Sequence, residues 1–379
     1  MDFELSDEQR QFAGALRKWT ERAYAFDHRQ QVSRGTAGTD AADWTALAEM
    51  GLPALGVPQD QGGLEGTGVD RMIAMQEMGR ALLVEPLFAT LWGCAFLRAC
   101  GGQEKLLERV AAGEARLACA LGERAARHDF DHVECRATAT EGGWRLDGVK
   151  SVVLHGAQAD AIIVSARTAG QTHEREGISL FVVPANARGL ARRDCETADG
   201  LRAALVSLDG VVVPSSALLG VAGQGWPVLD AAFDRGIAML CAEAIGVMEA
   251  LSESTLEHLR TRQQFGAPIG KFQALQHRMA EVFVHLEQAR SMAMLAAVKC
   301  DSTDAIERRR CVSAAKARVG EALRFVAQQS VQLHGGVGVS DEMRVSHLFK
   351  RATMIELSLG DSDYHIERFI AQPGFAAAC

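Results

Sequence analysis

The sequence lacks the cysteine spacing that marks metal-binding or disulfide-stabilised proteins. Its 379 residues contain nine cysteines, but no C-x-x-C pair occurs among them. Structural zinc sites and disulfide frameworks are normally recognised from such regular, closely spaced cysteines. We therefore expect no metal site and no disulfide framework. So many unpaired thiols indicate a reducing, cytoplasmic location.

The sequence also lacks a basic excess and a long apolar run. Lys and Arg number 40 against 48 Asp and Glu, which gives a net charge of −8. Proteins that bind nucleic acid need cationic side chains to neutralise phosphates, so this class is disfavoured. No run approaches the roughly 18 apolar residues of a membrane helix, and the polar start "MDFELSDEQRQF" does not resemble a signal peptide. We expect neither a nucleic-acid partner nor a membrane span.

What the sequence does contain is three regions of different periodicity. Residues 1–115 have helical spacing, residues 116–220 carry short β-rich runs bounded by Gly, Pro and Asp, and residues 221–379 return to long helices. The strands predict a small antiparallel sheet or barrel, and the last helices predict a four-helix bundle. The fold class is therefore mainly α with a central antiparallel β domain. Without G-x-G-x-x-G and strand–helix alternation, a Rossmann fold is disfavoured.

Several helix boundaries carry local signals. Ser6 and Gln9 have the spacing of a capping box at the start of the first helix. Ser302 or Thr303 is a candidate N-cap within the last region, and Ser340 predicts the start of the final long helix. These residues fix where the helices should begin.

Two joints between the long helices have residue types that can hold an anionic ligand. In "RTRQQFGAPIGKFQ", Arg262 ends one helix beside a Gly-Pro loop, and Gln273 opens the next helix. An arginine in this place can pair with a pyrophosphate. In "VQLHGGVG", Gly335 and Gly336 let a ligand approach the backbone closely. Each joint also has a plainer interpretation, in which Arg262 stabilises a helix C-terminus and the glycines form an ordinary helix end.

Taken together, the two joints resemble those of the acyl-CoA dehydrogenase family. The first fits R-x-x-F-G-x-P-I-x-x-F-Q-x-x-Q, and the second fits V-Q-x-x-G-G-x-G. The resemblance covers nearly the whole chain, because "LAEMGLPALGVPQDQGG", "GEARLACALGE" and "LDGVVVPSSALLG" are also similar to family segments. It implies a helical N-domain, a β-barrel middle domain and a four-helix C-domain. The chain also resembles the subgroup with unlike subunits that acts on dicarboxylyl or sterol-derived acyl-CoA.

The resemblance also implies a reaction, a cofactor and partners. A carboxylate takes the α-proton of an acyl-CoA thioester while the β-hydrogen passes as hydride to FAD. The positions that match FAD contacts in the family are Arg262, Phe265, Gln273, Gln332, Gly335 and Gly336. Because this site is shared between subunits, a homodimer, a homotetramer or a heterotetramer with a homologous subunit is implied. Electron-transfer flavoprotein is the implied electron acceptor.

The family pattern breaks where the chemistry should occur. Leu359 falls on the usual position of the glutamate base, and Gly236 falls on the alternative position that some members use. Val152 and Leu154 stand where the family has an aromatic and a hydroxyl side chain facing the flavin. In the segment "GERAARHDF", only Glu123 matches the family motif. We therefore expect FAD to bind through its ADP half, with a different environment around the flavin ring and without a catalytic base at the usual position.

Three interpretations of "IELSLGDSDYHIER" remain open. Asp361 is the catalytic base, displaced by two residues from the usual position. Alternatively, the chain is a catalytically silent subunit whose partner carries the base. In the third interpretation, Asp361, Asp363 and His365 form only a turn and a helix cap, and the base is Glu356, Asp234 or a group of the substrate.

Overall fold

The computed structural model describes residues 5–373, which are mostly helical. The α-helices are α1 (Asp7–Arg22), α2 (Phe26–Arg34), α3 (Ala41–Glu49), α4 (Gly68–Ala81), α5 (Leu87–Cys100), α6 (Glu104–Ala111), α7 (Trp226–Thr261), α8 (Gln273–Lys299), α9 (Ala305–His334), α10 (Arg344–Leu357) and α11 (Ser362–Ile370). Across residues 5–373, no helix combines the length and hydropathy needed to cross a bilayer.

The strands form one large sheet and one small hairpin. They are β1 (Leu117–Ala120), β2 (Arg136–Thr140), β3 (Gly143–Leu154), β4 (Ala161–Arg167), β5 (Ile178–Pro184), β6 (Leu190–Glu196), β7 (Arg202–Pro214), β8 (Leu218–Leu219), β9 (Gln263–Gln264) and β10 (Ala267–Pro268). The large sheet has the order β6-β7-β3-β2-β4-β5-β8, with β1 beside β4. The central sheet domain predicted from the sequence is confirmed, but β1 and β2 pair with β4 in parallel.

Contacts divide the described chain into two compact units. We call the first the sheet unit, which comprises Gln31–Thr67 and Val84–Phe233. We call the second the helical unit, whose described residues are 5–30, 68–83 and 234–373. The predicted three-domain division at residues 115 and 220 stays a proposal.

The sheet unit is held by strands that are buried along their whole length. Every residue of β4 is buried, and β5 is buried from Ile178 to Val183. Trp144 packs edge-on against Phe181, with ring centroids 5.6 Å apart. Such continuous apolar runs are typical of strands covered on both faces. β4 and β5 therefore form the buried centre of the sheet unit.

The helical unit packs its helices at very short range where glycines allow it. A Cβ atom on Gly246 of α7 would lie 1.8 Å from the carbonyl oxygen of Gln76 in α4. Deeper in the unit, Arg351 of α10 forms a bidentate ion pair with Glu243 of α7, at 2.6 and 2.7 Å. Both side chains are buried, so each charge depends on the other. The pair fixes the position of α10 against α7.

The local signals were correct at some helix ends and wrong at others. Ser6 and Gln9 form the predicted capping box. The N-cap of α9 is Asp304 rather than Ser302 or Thr303, because the Asp304 carboxylate accepts two backbone N–H groups. The prediction at Ser340 is also wrong, since a short 3-10 helix reaches Val339 and α10 begins only at Arg344. Several adjacent polar residues could have served as the N-cap, and the path of the backbone decided which one does.

Candidate functional site

Two histidines bring the two ligand-type joints to one end of the helical bundle. His258 in the last turn of α7 stacks on His334 at the end of α9, with ring centroids 4.4 Å apart. His334 Nδ1 lies 2.8 Å from the carbonyl oxygen of Ser330, which fixes the ring. Burial, the charge of His334 and the charge of Arg262 lower the pKa of His258. Arg262 therefore lies in the electrostatic range of this stack, at the same end as the glycines.

The first joint is an exposed hairpin with an unpaired cation. Arg262 follows α7, and its guanidinium makes no hydrogen bond or ion pair within residues 5–373. The tip residue Phe265 is 93% exposed and has a φ of +54°, which a bulky side chain rarely adopts. Its nearest aromatic neighbour is Phe272, edge-on at 6.1 Å. The plainer interpretation of Arg262 as a helix cap finds no side-chain hydrogen bond to support it.

The second joint leaves open space above its glycines. Helix α9 ends at Gly335, whose φ of +65° suits glycine. A Cβ atom on Gly335 or Gly336 would meet no atom of the described chain within 4 Å, whereas one on Gly338 would lie 2.8 Å from the carbonyl oxygen of Val331. Gln332, one turn earlier, is exposed. A ligand can therefore approach the backbone at the first two glycines but not at the third.

The start of α8 adds backbone donors near the hairpin. Its N-cap residue, Phe272, supplies no side-chain acceptor for the first-turn N–H groups. Gln273 is the first helical residue and is exposed. Uncapped N–H groups at a helix start favour an anion. We call the whole arrangement, residues 258–273 with residues 332–336, the bundle end.

A buried lysine organises the segment where the catalytic base was sought. Lys316 of α9 is 1% exposed, and its Nζ donates to the carbonyl oxygens of Ile355 at 3.1 Å, Glu356 at 2.8 Å and Gly360 at 2.8 Å. Burial lowers the pKa of Lys316 to about 8. Lys316 was not singled out from the sequence, because a lone lysine within a helix gives no local sign of this role. Residues 355–361, which we call the corner, thus wrap around one ammonium group.

The corner contains a strained residue at the position before its glycine. Leu359 has a φ of +53°, and Gly360 follows with +94°. His365 of α11 is fully buried, and its Nε2 lies 2.8 Å from the Leu359 carbonyl oxygen. A Cβ atom on Gly360 would lie 2.4 Å from the ring of Tyr364, so only glycine fits there. Left-handed residues other than glycine cost about 1–3 kcal/mol and persist where their surroundings enforce them.

Asp361 lies at the start of the last helix. Its Oδ1 accepts a hydrogen bond from the backbone N–H of Tyr364 at 2.9 Å, which makes it the N-cap of α11. Asp363 is exposed in the first turn of the same helix. A capping aspartate is well placed next to the positive end of a helix dipole. This geometry agrees with the cap in the third interpretation.

The other two candidate carboxylates have specific partners within the helical unit. Asp234 is fully buried, with Oδ1 2.6 Å from Arg368 and Oδ2 2.8 Å from Arg308. Glu356 points at Ser362, whose backbone N and Oγ lie 3.4 and 3.3 Å from its Oε1. A carboxylate that pairs with two guanidinium groups links the helices that carry them. Asp234 therefore holds helices together.

In the sheet unit, the positions that resemble a flavin-facing wall carry aliphatic side chains. Val152 lies in an irregularity of the β3–β7 pairing, has a φ of +52° and is 69% exposed. Leu154, two residues later, is half-buried. A β-branched residue at positive φ is unusual and strained. The strand keeps a bent backbone without an aromatic ring or a hydroxyl at these two positions.

Glu123 and its neighbours use their charges within the sheet unit. Glu123 Oε1 lies 2.6 Å from the Nζ of Lys150, which is completely buried. Glu123 also accepts the backbone N–H groups of Glu134 and Cys135, at 2.6 and 3.0 Å. His132 and Glu134 converge on the same carboxylate within 4.8 Å. Because Lys150 already neutralises Glu123, we assign the glutamate a structural role.

Three family models match consecutive parts of the chain in the order expected from this architecture. They are the acyl-CoA dehydrogenase N-terminal domain at residues 6–114, the middle domain at residues 118–209 and the C-terminal domain at residues 223–372. The chain belongs to the acyl-CoA dehydrogenase family. Membership establishes the acyl-CoA dehydrogenase fold for this chain. At the level of the family, it also establishes FAD as the cofactor and oxidation of acyl-CoA as the reaction.

Individual relatives are distant in sequence and close in structure. The 2-methylacyl-CoA dehydrogenase of Solanum tuberosum is 27% identical over 95% of this chain and 89% of the relative. A variant of the Tcur3481–Tcur3483 steroid ACAD is 27% identical, with a TM-score of 0.88 over 98% and 99% of the two chains. The ChsE4–ChsE5 complex from Mycobacterium tuberculosis is 25% identical, with a TM-score of 0.87 over 97% of each chain.

The bundle end suits the anionic half of an acyl-CoA dehydrogenase cofactor. FAD carries a pyrophosphate, which requires cationic and N–H donors, and an adenosine, which requires an aromatic or apolar face. Arg262 and the start of α8 offer the donors, Phe265 offers an exposed ring, and the glycines leave room for close approach. Assignment of these residues to FAD stays a prediction. The pair His258 and His334 was not singled out together from the sequence, because the two rings are far apart along the chain.

Proposed function

We propose that this chain is a catalytically silent, FAD-holding subunit of an acyl-CoA dehydrogenase that is assembled with a homologous, base-carrying subunit. The observation that carries the proposal is Leu359. This residue occupies the position expected for the base and is held in a left-handed conformation by the corner. Leucine has no group that can accept a proton. The corner thus presents an apolar side chain where α-proton abstraction requires a carboxylate.

The nearby carboxylates support the same proposal through their partners. Asp361 caps α11, Asp234 neutralises Arg308 and Arg368, and Glu356 faces Ser362. Moving any of them to the α-carbon of a thioester would break these contacts. Small displacements matter, since a shift of about 1 Å can cost on the order of a hundredfold in rate.

The role that remains for the chain is to hold and orient the cofactor. We assign the pyrophosphate to Arg262 and the start of α8, with Gln273 and Gln332 as flanking amide donors. We propose that Phe265 contacts the adenosine. We also propose that the cofactor approaches the backbone closely at Gly335 and Gly336. When bound, FAD accepts the hydride released from the β-carbon of the acyl group.

Partners follow from this role. The two solved structures at 27% and 25% identity bear names that combine two chains, which supports an assembly of unlike homologous subunits for this chain as well. A homodimer or homotetramer remains the alternative assembly. Electron-transfer flavoprotein as electron acceptor and a cytoplasmic location stay predictions from the sequence. The small side chain of Val152 and the missing side chain of Gly236 support a roomier cleft for the acyl group.

The second candidate function is a self-sufficient dehydrogenase with Asp361 as base. It is favoured by the position of Asp361, which is only partly buried and is the first carboxylate after Gly360. In this case, the same carboxylate would have to cap α11 and accept the α-proton. The two candidates differ in whether Asp361 is needed for its charge or only for its hydrogen bond.

Flavin bleaching by acyl-CoA thioesters distinguishes the two candidates. The chain is purified alone and after co-expression with a homologue encoded beside it, each as wild type and as Asp361→Ser. Serine keeps the helix cap but removes the carboxylate. We expect bleaching only in the co-expressed complex, and within twofold of wild type in Asp361→Ser. Bleaching by the chain alone that Asp361→Ser abolishes would overturn the proposal in favour of the second candidate.

A further inference from the structure

Residues 335–343, which join α9 to α10 and include the two open glycines, lie mostly at the surface. Within this segment only Gly338 is buried. Asp341 connects the segment to the helices beneath it, because its carbonyl oxygen accepts hydrogen bonds from His347 Nε2 at 2.8 Å and from Gln30 Nε2 at 3.1 Å. The conformation of the segment therefore depends on side chains of α10 and α2.

The His347 ring is held in one neutral tautomer. Arg29 of α2 is 2% exposed, and its Nη1 lies 3.3 Å from His347 Nδ1. A guanidinium group has donors only, so His347 Nδ1 has to be the acceptor of this hydrogen bond. The ring proton is then on Nε2, which donates to the Asp341 carbonyl oxygen. One ring thus joins α2 to the segment, and it can do so only while it is neutral.

The charged groups that face His347 come from α2, from the segment and from α10 itself. Arg29 contacts Nδ1, the Asp341 carboxylate lies 3.3 Å from Nε2, and Lys350 Nζ lies 3.3 Å from the same carboxylate. Burial and the charge of Arg29 lower the pKa of His347 below its ordinary value of 6.5, against opposite effects of the Asp341 backbone and carboxylate. The carboxylate is 58% exposed, so water screens its charge. A proton on Nδ1 would bring two donors and two positive charges together in a buried contact.

We propose that neutral His347 is a positioning residue for residues 335–343, and that a proton taken up from solvent at Nδ1 separates the ring from Arg29 and releases the segment. Below pH 6.5, the released state binds more protons than the closed state, so acid favours release. Because the segment includes Gly335 and Gly336, release should also weaken the binding of FAD. This consequence rests on the proposed function, whereas the release itself does not.

Hydrogen exchange of the full-length protein, followed by mass spectrometry at several pH values, tests the release. Wild type is compared with His347→Gln, whose amide keeps an acceptor and a donor but does not titrate. The matched control is His277→Gln, which changes an exposed histidine of the helical unit in the same way. In wild type and the control, we expect the protection of residues 335–343, relative to intrinsic exchange, to fall below pH 6.5 with a limiting slope of about tenfold per pH unit. In His347→Gln, the protection should not change with pH.

Two results would overturn the inference. One is wild-type protection of residues 335–343 that does not vary with pH, and the other is the same pH dependence in His347→Gln. If circular dichroism shows that His347→Gln misfolds, exchange of the histidine C2 hydrogens in wild type decides instead. Half-exchange of His347 at a lower pH than His277 supports the inference, and half-exchange at the same or a higher pH overturns it.

FAD titrations of the apoprotein over the same pH range separate this inference from the proposed function. We expect the dissociation constant for FAD to rise in acid in wild type, and to rise less in His347→Gln. If the protection falls as expected while the affinity for FAD does not follow it, the release of the segment is supported. The assignment of Gly335 and Gly336 to the cofactor would then be wrong.

Discussion

The bundle end and the corner use the same unusual backbone for opposite purposes. At the bundle end, Phe265 and Gly335 have φ values of +54° and +65°. At the corner, Leu359 and Gly360 have values of +53° and +94°. Each region is therefore a tight turn between two helices in the helical unit. The two differ in whether their polar groups point outward or are already used within the chain.

At the bundle end, the polar groups face outward. The Arg262 guanidinium makes no hydrogen bond within residues 5–373, and the space above Gly335 is open. At the corner, Lys316 and His365 contact four carbonyl oxygens between them. A turn with unused donors can receive a ligand, whereas a turn whose carbonyl oxygens accept hydrogen bonds from buried side chains is stabilised by the chain itself. The comparison supports our proposal that ligand binding takes place at the bundle end, and it indicates a structural role for the corner.

Among the variants that test this comparison, we expect the largest effect when Lys316 at the corner is replaced. Lys316→Met has a similar shape but leaves the three carbonyl oxygens at the corner without a donor. Each unsatisfied buried acceptor costs about 1–3 kcal/mol, and Met avoids the cost of burying a charge. We expect the free energy of unfolding to fall by about 3 kcal/mol, measured by urea denaturation. An unchanged free energy would show that the corner does not depend on its lysine.

The stability difference between wild type and Lys316→Met should also depend on pH. Burial lowers the pKa of Lys316 from 10.5 to about 8, so the folded protein binds fewer protons than the unfolded chain between these values. The free energy of unfolding contributed by this group therefore rises with pH across that window. We expect the difference between wild type and Lys316→Met to grow from pH 8 to pH 10. A difference that stays constant with pH would contradict the lowered pKa of Lys316. Groups that titrate identically in the two proteins contribute nothing to this difference.

An intermediate effect is expected at the bundle end, on ligand affinity rather than stability. Arg262→Ala removes the cation that we assign to the pyrophosphate. A charge-assisted hydrogen bond contributes about 1.5–3 kcal/mol, so the dissociation constant for FAD should rise by roughly 10- to 100-fold. Flavin fluorescence titration of the apoprotein measures this directly. Arg260→Ala, an exposed arginine in the last helical turn, is the control, and equal losses in both variants would remove Arg262 from the site.

The smallest effect concerns the strain at the corner. Leu359→Gly should be more stable than Leu359→Ala by about 1 kcal/mol, because only glycine adopts positive φ without cost. Leu357, the last residue of α10, provides the opposite control. There, glycine should be less stable than alanine by about 0.5–1 kcal/mol. Thermal denaturation of the four variants gives both differences, and the same order at both positions would mean that Leu359 is not strained.

Sequence patterns predicted features that depend on neighbours along the chain. The Ser6 capping box and the helix end at Gly335 are local, so residue identity and spacing sufficed. The succession of helices, strands and helices followed from periodicity in the same way. The N-cap of α9 was predicted wrongly, because Ser302, Thr303 and Asp304 have similar local propensities for this position.

Other features required the tertiary structure because they join residues far apart in sequence. The stack of His258 on His334 and the three carbonyls around Lys316 leave no local pattern. By itself, the sequence determined the fold class and the absence of a glutamate at position 359, since both depend on residue types in order. Only the folded chain decided which polar groups face outward and which are used internally. That decision depends on packing between distant segments, and it separates the bundle end from the corner.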